Sequence, residues 1–287
     1  MRTLTYINSL GGTLTFNDKP PFILQNFEQD LSVDIYSSKG MDQDGETYLG
    51  NALDIMDLTL EVALLNSTKA ELINNRNIVN KAFNPKLVEG YLIYKDELKE
   101  IKVKCIINKL PTWDKTDKTI SEGVISLTAN KSFWTDIQEL KEEIALWKSD
   151  FKFPLAIPST GIRFGHREPS LIVNVNNKGD VECGMRIEFK ALATLTNPSL
   201  LNVNTGEFIK INKGMVSGEV ISVTTYFGNK TVKSTLNGVT TNIFNYIDWE
   251  STFLQLEVED NLFRYDAETG LDNLEVSIYY MPQYLSF

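Results

Sequence analysis

The sequence predicts a mostly β fold with little helix, arranged as two domains. Three observations carry this reading. Runs rich in β-branched and aromatic residues fill the first half, at Leu58–Leu64, Leu87–Tyr94, Ile101–Ile107 and Ile120–Leu127. From Ser170 onward, short alternating segments recur between turn signals at intervals of about a dozen residues. Only two stretches have helical spacing.

The first helix is predicted to begin at Thr68. Thr68 and Glu71 make a capping-box pattern, and Leu72, Val79 and Phe83 fall on one face. It should stop at Asn84-Pro85, because a proline disfavours helical backbone in the residue before it. A second helix is predicted over Thr135–Trp147, with Thr135 and Gln138 as its capping box and Ile137, Leu140, Ile144 and Trp147 as its stripe. Tyr94-Lys95-Asp96-Glu97 reads as a turn between strands.

After Trp147 the pattern changes. Phe151–Pro158 holds two prolines in an apolar stretch, which favours an extended connector. Residues 1–150 and 151–287 are therefore expected to be separate domains. In the second, Val181, Cys183, Met185, Ile187 and Phe189 alternate with polar residues, as on a half-buried strand. Turns are expected at Asn177–Asp180, Asn204–Gly206, Phe227–Asn229 and Asn237-Gly238, the last a favoured hairpin dipeptide. Many short strands of this kind describe a β-sandwich or jelly roll.

Hydrophobic residues make up 42% of the chain and charged residues 23%, the balance of a folded globular protein. No segment approaches the roughly 20 apolar residues that span a bilayer, and the first residues lack a signal-peptide centre, so a cytoplasmic site of synthesis is expected. Cys105 and Cys183 fall in different expected domains and should remain reduced. The net charge of −10 opposes adsorption to nucleic acid and suits the acidic wall of a passage for it.

Catalytic chemistry finds little support. His166 is the only histidine, so neither a histidine-based triad nor a two-histidine metal site can form within one chain. Glu257, Glu259 and Asp260 read as a solvated acidic face, with nothing to raise one carboxyl into a general acid. No cofactor-binding motif is present, since the glycines at Gly11-Gly12 and Gly40–Gly50 do not link a strand to a helix. Tyr226, Phe227, Tyr246 and Trp249 are candidates for stacking on sugar rings, with Tyr226 and Trp249 foremost, although core packing is the ordinary role of such residues and the expected one here. The polar, glycine-punctuated segment Ser37–Asn51 reads as a loop that gains order against a neighbouring chain. Met41, Tyr48 and Leu49 are its available apolar anchors.

Several segments together resemble the siphophage distal tail protein family. In the second half these are Gly179–Phe189, Asn197-Pro198, Asn202–Glu207, Phe253–Leu256, Asp260–Tyr265 and Ile278–Leu285. In the first half, Gln43-Asp44-Gly45 with Tyr48, Phe83–Lys86 and Phe133-Trp134 are similar to the family's loop, helix exit and aromatic pair. The basic residue that follows the loop in many relatives has no counterpart in Leu53–Asp57.

The resemblance implies a split β-barrel with a helix, akin to tail-tube subunits, which assembles as a hexameric ring. It implies a second domain that is a galectin-like or carbohydrate-module-like β-sandwich. It further implies partners: the tail tube protein, a tail-associated or tail tip protein and, in many phages, receptor-binding proteins. The expected location is the virion tail, after assembly in the bacterial cytoplasm. Two other classes fit the composition, a non-catalytic module that binds cell-wall polysaccharide and, more remotely, a wall-degrading enzyme.

Overall fold

The structure, a computed structural model, describes residues 2–144, 147–149, 165–167 and 172–287. The chain forms two compact units. One comprises Met1–Ile137 with Tyr284–Phe287, the other Gln138–Gln283.

Unit 1 contains β1 (Thr3–Ile7), β2 (Thr13–Phe16), β3 (Phe22–Ser38), β4 (Thr47–Leu65), α1 (Lys69–Ala82), β5 (Gly90–Lys95), β6 (Glu100–Ile107), β7 (Thr112–Thr116), β8 (Ile120–Ala129) and β9 (Trp134–Asp136). Its main sheet runs in the order β2-β1-β5-β6-β8-β4-β3, with β7 beside β8 and β9 beside β6. An isolated bridge between Asn17 and Ile23 links the neighbourhoods of its two end strands. Alternation sends Leu58, Leu60, Val62 and Leu64 of β4 inward, where they join Leu4, Phe16, Leu92, Val103, Ile125 and Leu127 in one core.

The helix α1 begins as the sequence predicts. Thr68 Oγ1 accepts from the Glu71 amide at 3.2 Å while the Glu71 carboxylate accepts from the Thr68 amide, the reciprocal capping box. Leu72, Val79 and Phe83 are buried, and Phe83 stacks on Tyr6 with ring centroids 4.4 Å apart. The turn after β5 is held by Asp96, whose carboxylate accepts from the amides of Leu98 and Lys99. Phe287 completes the core of this unit, its ring centroid lying 4.7 Å from Phe27 and 4.9 Å from Tyr94.

Unit 2 contains β10 (Leu140–Glu143), β11 (Trp147–Ser149), β12 (Gly165–Arg167), β13 (Ile172–Asn177), β14 (Met185–Ala191), β15 (Leu195–Asn202), β16 (Phe208–Lys210), β17 (Gly214–Met215), β18 (Val220–Thr224), β19 (Thr231–Leu236), β20 (Val239–Asn242), β21 (Glu259–Thr269) and β22 (Leu274–Tyr280). A short β23 (Gln283–Tyr284) follows at the return to unit 1. One sheet has the order β10-β22-β14-β18-β19-β20 and the other β13-β21-β15-β16 with β17 beside β15. Their inner faces share one core, with Ile187, Phe189, Ile221 and Ile278 from the first and Leu200, Ile209, Phe263 and Tyr265 from the second. That is the two-layer packing of a β-sandwich. Asn237 and Gly238 both have positive φ, 51° and 79°, as the two-residue hairpin between β19 and β20 requires.

Three expectations need correction. Thr135–Trp147 is not a helix. Thr135 lies in β9, opposite Lys102 of β6, and Leu140–Glu143 is an edge strand registered against Tyr280–Ser277 of β22. The ladder supplies hydrogen bonds that override the helix-favouring composition of Leu-Lys-Glu-Glu, and the amide of buried Ile144 continues it to the Val276 carbonyl. Ser37–Asn51 is not a loop throughout, for only residues 39–46 lie outside β3 and β4. Strand β14 starts at Met185, leaving Val181 and Cys183 in isolated bridges. The connector 151–158 lies outside the described residues, and of His166 only its place in β12 is described.

Candidate functional site

The hairpin of β3 and β4 is the longest element of the chain, and its two ends differ in kind. Strand β4 pairs with β8 only from Met56 to Leu65, so residues 47–55 pair with β3 alone. Beyond Leu31 and Met56 the hairpin is thus a two-stranded ribbon, about 25 Å long over eight residues at roughly 3.3 Å each. Such a ribbon is marginal by itself in water.

Several of its apolar side chains lie in the open. Val33, Ile35, Tyr36 and Ile55 are exposed, and the tip carries Met41, 98% exposed, Tyr48, 61%, and Leu49, 65%. All three anchors expected from the sequence therefore stand on this arm. Asp42 and Gly45 take positive φ to turn the chain, and Gln43 braces the turn by accepting from the Gly40 amide and donating to Thr47. The register passes from Tyr36–Gly50 to Ser37–Tyr48, so Leu49 is the extra residue of a β-bulge that re-aims the strand.

At the base of the arm the charges have one sign. Strands β3, β4 and β8 bear Glu28, Asp30, Asp34, Asp54, Asp57, Glu61 and Glu122, and no lysine or arginine. Asp30 lies directly opposite Asp57, a like-charge pairing that weakens a sheet. Thr128 donates to Asp57 at 2.5 Å. Glu28, Gln29, Asp30, Asp57 and Thr59 line a shallow cleft there. The sequence reading missed this arm and its acidic base; alternation at Val33-Asp34-Ile35 and Leu53-Asp54-Ile55 is the signal that could have found them.

Of the residues considered for chemistry, Asp260 and Tyr226 are held by side-chain hydrogen bonds. Asp260 accepts from Asn174 and Asn176, both at 2.8 Å, and these bonds hold its carboxyl below the usual range. Cys105 and Cys183 are buried free thiols, each pushed up to about 12 by burial. Tyr226 is partly buried; burial and then neighbouring Glu139, to which its hydroxyl donates at 3.4 Å, push its phenol up. Tyr246 and Phe227 are exposed, and Trp249 is 88% exposed. Among the described residues no group of three or more His, Cys, Asp or Glu side chains could hold a metal ion, and no helix is long and apolar enough to cross a membrane.

Comparison with known proteins decides the family. Residues 9–129 match the phage tail protein RIFT-related domain, and residues 178–284 match the C-terminal domain of siphovirus-type tail components. The chain belongs to the siphophage distal tail protein family. The same fold is seen in the crystal structure of the phage SPP1 Dit protein, a hub adsorption-apparatus protein of phages that infect Gram-positive bacteria; the TM-score is 0.68 at 12% identity over 98% of both chains. A chain of the activated, calcium-bound baseplate of phage P2 aligns with TM-score 0.51 at 11% identity, again over 98% of both chains. No curated protein sequence matches. As a member of this family, the chain is a phage tail component and a virion structural protein.

Proposed function

We propose that this protein forms a hexameric ring joining the tail tube to the tail tip or baseplate, and that the β3–β4 arm of each subunit packs on its neighbour. The supporting observation is the arm itself, a ribbon with exposed apolar side chains and no third strand, which gains stability only when another chain covers it. The acidic face of β3, β4 and β8 suits a passage for DNA, because like charge prevents adsorption. Its partners in this reading are the tail tube protein, the tail tip protein and receptor-binding proteins. Assembly takes place in the bacterial cytoplasm, and unit 1 supplies the ring while unit 2 is the peripheral domain.

The test is sedimentation velocity of the wild type and of the Tyr48→Ser, Leu49→Ser double variant at equal concentration. Full burial of one such side chain contributes about 1.5–3 kcal/mol. With roughly a third of each already covered, the pair should contribute about 2–4 kcal/mol per interface, or 30- to 1000-fold in dissociation constant. The monomer's melting temperature should stay nearly unchanged. A ring that persists in the variant removes the arm from the interface.

A further inference from the structure

We propose that the turn Asp248–Ser251 is a docking knob, by which Trp249 enters an apolar pocket, rimmed by cationic side chains, on another tail protein. This rests on the tail reading above. The Ser251 amide donates to the Asp248 carbonyl at 3.0 Å, so Trp249 occupies the first corner of a β-turn. The indole is 88% exposed there.

The turn is stiff. The Asp248 amide donates to the Lys210 carbonyl at 2.9 Å, the Thr252 amide to the Phe208 carbonyl at 2.8 Å, and the Lys210 amide to Ser251 Oγ at 3.0 Å. Asp248 is fixed at both oxygens, Oδ1 by the Glu250 amide and Oδ2 by Asn212 Nδ2, each at 3.0 Å. An indole on a pre-ordered turn loses little conformational freedom on binding, which is what makes tryptophan an effective anchor.

Two features select a protein over a glycan. Sugar sites set converging hydrogen-bond groups beside the aromatic ring, but here Asn212, Asp248 and Ser251 are already engaged in holding the turn. Second, acids flank the indole on both sides, Asp248 and Glu250, while Lys210, which faces Asp248, is ion-paired with Glu268 at 2.6 Å. The complement is an apolar pocket with lysine or arginine at its edge.

The test uses purified virions in which Trp249 is replaced by a photoreactive benzoyl-phenylalanine. Cross-links should fall on one other virion protein, in an apolar segment flanked by Lys or Arg. Trp249→Ala should lower that protein's occupancy at the tip at least tenfold. Glu250→Lys should lower it in the same direction, and neither substitution should shift the melting temperature of the purified chain. Cross-links confined to copies of this chain, or full occupancy in Trp249→Ala, would overturn the proposal. So would retention on cell-wall polysaccharide that Trp249→Ala abolishes, which would assign the indole to a glycan. A chain absent from virions would sink the tail reading and this inference with it.

Discussion

Replacing Phe287 with alanine tests whether the last four residues belong to the core of unit 1. The ring lies 4.7 Å from Phe27, 4.9 Å from Tyr94 and, edge on, 6.2 Å from Trp134. Gln29 ties the same neighbourhood together, donating to the Leu285 carbonyl at 2.7 Å and accepting from Trp134 Nε1 at 2.9 Å. Phe287 is partly exposed, so about 100 Å² of its surface is removed from water, worth about 2.5 kcal/mol at roughly 25 cal/mol per Å². The aromatic contacts add about 0.5–1.5 kcal/mol, and partial collapse of the gap returns some of it, giving an expected loss of about 2–4 kcal/mol. For a unit of this size that corresponds to a fall of about 6–15 °C in melting temperature. Calorimetry resolves the two units if they melt separately, with a fragment of residues 138–283 marking the transition of unit 2. Only the other transition should move, and Phe287→Leu should restore half or more of the loss. A shift smaller than about 0.5 kcal/mol would refute the packing argument, as would a shift confined to unit 2.

The remaining predictions concern other levels of the structure. Thr68→Ala removes the cap of α1 and should lower stability by about 1 kcal/mol, measured by urea unfolding, while Thr68→Ser should not. Residues 138–283 should fold cooperatively as a fragment, whereas 151–287 should be less stable because it lacks β10 and Ile144; matching melts would put the β10 segment outside the sandwich. Glu219 is buried, and although burial raises its pKa, hydrogen bonds from Lys213 Nζ, Ser234 Oγ and the Val216 amide win and hold it below the ordinary carboxylate range. A lowered folded pKa means its contribution is present above about pH 4.3 and is lost as pH falls through the depressed value. Glu219→Gln should therefore cost about 1–3 kcal/mol at pH 7, and the gap from wild type should narrow toward pH 2–3. An equal gap at both pH values would show that the charge contributes nothing.

What the sequence by itself determined was local. The capping box of Thr68 and Glu71, the stop at Asn84-Pro85 and the hairpin at Asn237-Gly238 depend on side chains only a few residues apart, so their spacing in the chain is their spacing in space. In β6, Ile101, Val103 and Cys105 alternate with Lys102 and Lys104, which likewise declares which face is buried. The order of the resembling segments carried the family, because a long ordered match does not arise from composition.

The tertiary structure decided what depends on distant partners. Leu140–Glu143 has a helix former's composition and becomes a strand because β22, more than a hundred residues later, offers an open edge. The reach of β3 and β4 beyond the main sheet is set by where β8 stops pairing, which neither strand encodes. Phe287 joins the core of the first unit although it lies at the far end of the sequence. Trp249 stands out in solvent because Lys210, Asn212 and Phe208 pin its turn, whereas the alternation that buries Phe263 and Tyr265 has no hold on a residue at a turn's corner. Burial of an aromatic residue is settled by what the fold brings against it, and that contact is not written in the residue's own neighbourhood.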